Sequence, residues 1–171
     1  MAEVDRLLGI ASELGESARV SRLRAVRDDL AHVAVSLSYA RHVLSVDLGI
    51  LHRAKECPGD LQALVDDLPR ILAESSIGGG WSLSSDSPAT MAAADLALLG
   101  EADGLLTAHA AMARSDLGSP GGIDKAIASI DRQLTQVSER RDQVEERLRE
   151  LRALIVEHYQ NGSAHVDDWL V

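Results

Sequence analysis

The same pair of side chains occurs twice in this sequence, as Ser38 with Arg41 and as Ser138 with Arg141. Each serine precedes its arginine by three residues, so on a helix both side chains lie on one face. An inward-facing guanidinium presents a planar fork of N–H donors, which suits a phosphate, the edge of a guanine or a carboxylate. The competing interpretation is that each arginine extends its stem over the surface and keeps its charge in solvent.

No other set of side chains converges on a recognisable chemistry. The histidines at 32, 42 and 52 are ten residues apart and turn progressively around a helix, so they cannot share a metal-binding face. The glycines at 78–80 are followed by tryptophan and serines, which is not a phosphate-binding loop, and no serine stands in Gly-x-Ser-x-Gly. The acidic pairs at 66–67 and 145–146 are typical of solvated helix faces. We therefore predict no catalytic residues, no metal and no enzymatic activity.

Two long helices are expected to position the repeated pairs. The first runs from about residue 17 to 56, without proline, and would be roughly 55–60 Å long at 1.5 Å per residue. Its apolar residues alternate at spacings of three and four, with a phase slip just after Leu37, and they are Leu23, Val26, Leu30, Val33, Leu37, Leu44, Leu48 and Leu51. The second runs from 123 to about 160 with Ile123, Ile127, Ile130, Leu134, Val137, Val144, Leu148, Leu151 and Ile155 in its stripe.

Several shorter segments complete the prediction. Residues 2–14 form a short helix, and Asp60 caps a further one that Pro69 interrupts, with Ile71 and Leu72 in a second turn. A flexible Gly/Ser loop follows at about 75–87, with Trp81 either anchoring it or exposed as a contact. Helices are also expected at 88–99 and 101–113, before a turn at 116–122, and the tail from 163 is either frayed or a docking segment. We expect one all-α domain over 1–171, an antiparallel two-helix coiled-coil hairpin with short accessory helices.

The two long helices also match each other imperfectly over residues 30–51 and 130–151. The apolar stripe of the second helix requires an apolar residue at position 141, between Val137 and Val144, but the residue there is arginine. At Arg41 the same argument is weaker, because Ala40 can take the seam position if the phase slips later. A charged side chain in the seam, the apolar interface between two paired helices, lowers stability unless an oppositely charged group pairs with it.

The charge and cysteine content of the chain restrict the classes of partner and compartment that we expect for it. The chain has 27 Asp and Glu against 17 Lys and Arg, a net charge of −10, which argues against direct nucleic-acid binding and fits either a basic protein partner or plain solubility. The single cysteine, Cys57, excludes an intrachain disulfide and suits a reducing compartment. We see no signal peptide and no run of about 20 apolar residues, so we expect a cytoplasmic protein that does not span a membrane.

The sequence resembles the RsiG family of actinobacterial anti-sigma factors, related to aerial mycelium formation proteins. The resemblance covers roughly 20–75 and 125–162, and it depends on Leu37-Ser38-Tyr39-Ala40-Arg41, on Ile50-Leu51, on the connector from Leu64 to Ala73, on Val137-Ser138-Glu139-Arg140-Arg141 and on Glu157-His158-Tyr159. It implies two long antiparallel helices, each with Glu-x3-Ser-x2-Arg-x3-Gln-x3-Asp. It also implies that these motifs bind cyclic di-GMP and that the ligand-bound form holds a sporulation-class sigma factor inactive.

The resemblance assigns Ser38, Arg41, Ser138 and Arg141 to a cyclic di-GMP site. The motif's other positions hold Ala34, Ser45 and Gly49 in the first copy, and Leu134, Glu145 and Arg149 in the second. Two Ser and two Arg would meet the phosphates but would not restore the acceptors for guanine N–H groups. We expect a regulatory protein that binds a sigma factor or similar regulator, with or without cyclic di-GMP. The alternative is a structural coiled coil, an oligomer or adaptor whose arginines pair with carboxylates.

Overall fold

A computed structural model describes residues 2–15, 18–77 and 121–162. Within these ranges every element is an α-helix: α1 (Ala2–Glu13), α2 (Val20–Glu56), α3 (Leu61–Ile77) and α4 (Gly122–Gln160). The all-α prediction is therefore confirmed for this part of the chain. None of these helices combines the length and apolar character that crossing a bilayer requires. The predicted helices at 88–99 and 101–113, Trp81 and the tail from 163 lie outside the described residues.

Helix α2 has the continuous stripe of a paired helix, and the phase slip expected after Leu37 is absent. Leu37, Ala40 and Leu44 are all buried at spacings of three and four, so Ala40 takes the seam position and Arg41 lies beside it, half-buried. The small side chain of Ala40 is the reason that the apolar pattern looks interrupted in the sequence. The helix begins at Val20, three residues later than predicted, and it ends after Arg53 and Lys55, whose charges suit a helix C-terminus.

A short turn connects α2 to α3. Gly59 adopts a positive φ of 81°, which favours glycine over residues with a Cβ. Asp60 then caps α3, because its Oδ1 accepts a hydrogen bond of 3.0 Å from the backbone N–H of Ala63.

The prediction that Pro69 interrupts this helix is wrong, since α3 continues to Ile77. Pro69 is exposed, and Ile71 beyond it is buried, so packing of the following turn offsets the one hydrogen bond that proline removes. The residues at 75–77 therefore belong to a helix, and the remainder of the predicted Gly/Ser loop lies outside the described residues.

The chain divides into two compact units. The first comprises Met1–Val35 and Arg140–Val171. In its described part, α1, the first half of α2 and the second half of α4 each contribute buried side chains, among them Leu7, Leu30 and Leu151. Arg140 on α4 pairs with Asp5 on α1 at 2.9 Å. Arg24 near the start of α2 donates a hydrogen bond to the Tyr159 hydroxyl near the end of α4.

The second unit comprises Ser36–Glu139. Its described core includes Leu44 and Leu51 of α2, Ile71 of α3 and Ile130 of α4. The Nζ of Lys55, near the end of α2, lies 2.6 Å from the Oδ1 of Asp124, near the start of α4.

Candidate functional site

A groove of about 410 Å³ lies between α2 and α3 in the second unit. One face of α2 forms most of it, with residues four, seven or eight positions apart that project to the same side of a helix. Three residues of α3 form the opposite wall. The lining residues are Arg41, Ser45, Leu48, Gly49, His52, Arg53 and Glu56 of α2, and Arg70, Ile71 and Glu74 of α3.

The two helices approach each other most closely at Gly49. A Cβ placed on Gly49 would lie 2.7 Å from the Cγ2 of Ile71, a separation that atoms in a folded protein do not tolerate without a shift. Ile71 is 4% exposed, so it is the buried apolar contact between the two helices. The missing side chain of Gly49 is therefore what allows α3 to lie against this face of α2.

Ion pairs connect the same two helices. The Nε of Arg53 lies 2.5 Å from the Oδ2 of Asp67 on α3, but its N–H makes no hydrogen bond, so the contact is electrostatic. Arg53 also donates to Glu56 at 3.2 Å, and Arg70 pairs with Glu74 at 3.0 Å and with Asp67 at 3.5 Å.

These carboxylates further favour the charged form of the two arginines. The hydrogen bond to Glu56 is the main reason that the pKa of Arg53 is raised above its ordinary value, with a smaller contribution from Asp67. Hydrogen bonds to Glu74 and Asp67 raise the pKa of Arg70. Both guanidinium groups are positively charged at neutral pH. The groove therefore has an apolar floor and walls in which cations and carboxylates alternate.

The first predicted pair has one member in this groove. Arg41 lines the groove and Ser38 does not, although both are half-buried on α2. Ser45 donates its hydroxyl proton to the backbone oxygen of Arg41 at 2.9 Å. Because its hydroxyl already donates this hydrogen bond within the helix, Ser45 does not donate a hydrogen bond into the groove.

The second predicted pair is divided between the units. Ser138 is half-buried in the second unit, and Arg141 belongs to the first. Arg141 has a side chain 25% exposed and pairs with Glu145 of its own helix at 2.6 Å, while its buried Nε makes no hydrogen bond. Of the four residues predicted to bind a ligand, only Arg41 lines the α2–α3 groove.

The sequence-based prediction missed the rest of the groove wall, notably His52, Arg53 and Arg70. A signal for α2 was available, because Arg41, Ser45, Gly49, Arg53 and Glu56 recur at spacings of three and four beside the apolar seam. Nothing in the sequence indicated that α3 would cover that stripe. Among the described residues, no group of three or more His, Cys, Asp or Glu is placed to hold a metal ion.

Comparisons with known proteins identify no relative. No family profile, no curated protein and no solved structure matches this chain.

Proposed function

We propose that this chain is a regulatory protein that binds another protein, an anti-sigma factor of the RsiG type, and that α2 and α4 form an antiparallel helical hairpin. The observation that supports the proposal is one contact in each unit between a residue near an end of α2 and a residue near the opposite end of α4. Arg24 contacts Tyr159 in one unit, and Lys55 pairs with Asp124 in the other. The pairing of two long helices is typical of proteins that bind other proteins, and the sequence predicts no catalytic cluster. We therefore favour a cytoplasmic binding protein over an enzyme.

Cyclic di-GMP is the narrower part of the proposal, with Ser38, Arg41, Ser138 and Arg141 as the binding residues. Arg41 is half-buried and lines the α2–α3 groove, which is consistent with a role in ligand binding. Two features oppose tight binding. Arg141 already has Glu145 as a partner, and Gly49, at the position of the family's Asp, lies beneath Ile71. Protein binding is therefore proposed as the main activity and the nucleotide as an accessory effector.

The experiment for protein binding is capture of purified actinobacterial sigma factors by the immobilised full chain, with and without cyclic di-GMP. Retention of one sigma factor in preference to the rest is the expected result. Failure of every sigma factor to bind, in both conditions, would contradict the proposal.

Isothermal titration calorimetry tests the nucleotide separately. We expect heat of binding from cyclic di-GMP with the unaltered chain and its loss in Arg41→Ala and in Arg141→Ala. Arg152→Ala is the matched control, because Arg152 is exposed on α4 outside both Ser-x2-Arg pairs. Equal heats from all four proteins, or none from any of them, would remove these residues from the proposal.

A structural coiled coil, acting as an oligomer or adaptor, is the second candidate. The Arg141–Glu145 pair favours it, since a seam arginine neutralised by its own helix needs no ligand. Light scattering after size exclusion distinguishes the two functions. A stable oligomer at low micromolar concentration that binds no sigma factor supports the structural role, and a monomer that captures a sigma factor supports the regulatory one.

A further inference from the structure

Asn161 is the only asparagine of the chain, and Gly162 follows it directly. The backbone nitrogen that follows an asparagine can attack the amide carbon of that side chain, because the two atoms close a five-membered ring. Glycine favours the attack, since it has no Cβ to shield its nitrogen. The sequence thus places a labile amide beside an accessible nucleophile, at a position that the proposed function does not use.

The two residues lie where α4 ends. The N–H of Asn161 donates to the Glu157 carbonyl at 2.9 Å, as in the body of a helix. The N–H of Gly162 donates instead to the Tyr159 carbonyl at 3.3 Å, which is the inner hydrogen bond of a Schellman turn. The terminal turn of a helix opens more readily than its interior. The attacking nitrogen is therefore held by a long hydrogen bond in the part of α4 that opens most easily.

Solvent reaches both residues, since Asn161 and Gly162 are exposed. Gly162 has a φ of 67°, and a Cβ placed on it would meet no atom of the described residues within 4 Å. Gln160 beside them is exposed as well, but its side chain is one methylene longer and would have to close a six-membered ring, which forms more slowly. Of the two amides at the end of α4, Asn161 is therefore the reactive one.

We propose that Asn161 is a modification site, at which the chain itself converts the side-chain amide to a carboxylate without an enzyme. The nitrogen of Gly162 gives up its proton and bonds to the Cγ of Asn161, the Cγ–Nδ2 bond breaks, and Nδ2 takes the proton and leaves as ammonia. Water then adds to one of the two ring carbonyls and breaks its bond to the ring nitrogen. Addition at Cγ gives aspartate, and addition at the backbone carbon gives isoaspartate. No oxidant or reductant takes part.

The modification changes the end of α4. The new carboxylate lies at the helix C-terminus, where the backbone carbonyl groups already carry partial negative charge. Glu157, four residues earlier and exposed, adds repulsion between like charges. Isoaspartate also lengthens the backbone by one methylene group and so disrupts the hydrogen bond from Gly162 to Tyr159. The modification therefore loosens the turn that carries Tyr159, the partner of Arg24.

The test incubates the full chain in mildly alkaline buffer at body temperature and follows its intact mass. We expect the mass increase of an amide NH2 replaced by a hydroxyl, with release of ammonia. Digestion should place the change at Asn161, and isoaspartyl methyltransferase should label the isoaspartate fraction. Gln160 is the matched control in the same digest and should keep its amide. A synthetic peptide of residues 155–165 gives the rate without the fold.

Two variants test the route of the reaction. Asn161→Gln should show no mass increase. Gly162→Ala should gain mass several-fold more slowly, because its methyl group shields the nitrogen, although alanine is strained at a positive φ and would itself loosen the turn. Deamidation of the peptide but not of the full chain would overturn the proposal, since the turn would then protect the amide. Equal rates for Gly162→Ala and the unaltered chain would also overturn it, because the Gly162 nitrogen would then not be the attacking group.

The effect on α4 is tested with Asn161→Asp, which places the carboxylate there directly. Its melting temperature should lie below that of the unaltered chain at low salt and approach it as NaCl is raised, because salt screens the repulsion. Asn161→Ser removes the amide without adding charge, so it is the control and should lack this salt dependence. An unchanged melting temperature of Asn161→Asp at low salt would overturn the predicted loosening of α4.

Discussion

The Cγ2 of Ile71 lies 2.7 Å from the point at which Gly49 would carry a Cβ. This methyl group branches directly from the Cβ of Ile71, so it cannot move aside as the end of a long side chain would. The contact sets the distance between α2 and α3, and with it the width of the groove that contains Arg41 and Arg53. A glycine in a helix normally lowers stability, so its presence at 49 has a structural reason.

Replacing Gly49 tests this contact. We expect Gly49→Ala to lower the free energy of unfolding by about 1–2 kcal/mol, since overpacking outweighs the gain in helix propensity. Urea denaturation followed by circular dichroism measures the change. Gly9→Ala in α1 is the matched control, because nothing lies within 4 Å of its added methyl group, and it should be neutral or stabilising. Ile71→Leu removes the branching methyl and should restore stability to Gly49→Ala; an unimpaired Gly49→Ala protein would refute the account.

The two predicted arginines should respond differently to an apolar replacement. Arg141 occupies a seam position between the buried Val137 and Val144, whereas at Arg41 the seam position is filled by Ala40. We therefore expect Arg141→Leu to raise the free energy of unfolding by about 1 kcal/mol, because a charge at a helix seam is replaced by an apolar side chain. Arg41→Leu should not raise it. Equal gains from both variants in urea denaturation would show that the two positions are equivalent.

The start of α3 depends on one capping residue. Asp60 accepts the N–H of Ala63 at 3.0 Å, and we expect Asp60→Ala to lower the free energy of unfolding by about 1 kcal/mol. Asp60→Asn keeps an acceptor of the same shape and serves as the control. If stability falls equally in both variants, the carboxylate charge rather than the hydrogen bond is responsible.

The Arg53–Asp67 pair should stabilise the attachment of α3 in a salt-dependent manner. Both side chains are about one quarter exposed, with relative exposures of 26% and 27%, so solvent ions screen the interaction only in part. A double-mutant cycle of Arg53→Gln and Asp67→Asn measures the coupling by thermal denaturation. We expect a favourable coupling that decreases as NaCl is raised. A coupling of zero at low salt would mean that the pair stabilises nothing.

The sequence predicted the elements that depend on local information. The end of α2 at Glu56 and both bounds of α4 were predicted within about one residue, because a sustained apolar period and glycine-containing turns at the helix ends are local signals. The errors have equally local causes. The phase slip after Leu37 was predicted because Ala40 is too small to be recognised in the sequence as a residue of the apolar seam. Pro69 was expected to interrupt a helix that in fact continues to Ile77.

What the sequence alone determined was therefore the helical character of residues 2–15, 18–77 and 121–162, with two long amphipathic helices and a repeated Ser-x2-Arg face. Only the tertiary structure decided where those side chains lie. It placed Arg41 in a groove against α3 and paired Arg141 with Glu145. Helix periodicity reports which residues share a face, whereas the identity of the element that packs on that face depends on contacts between distant positions, such as Gly49 with Ile71.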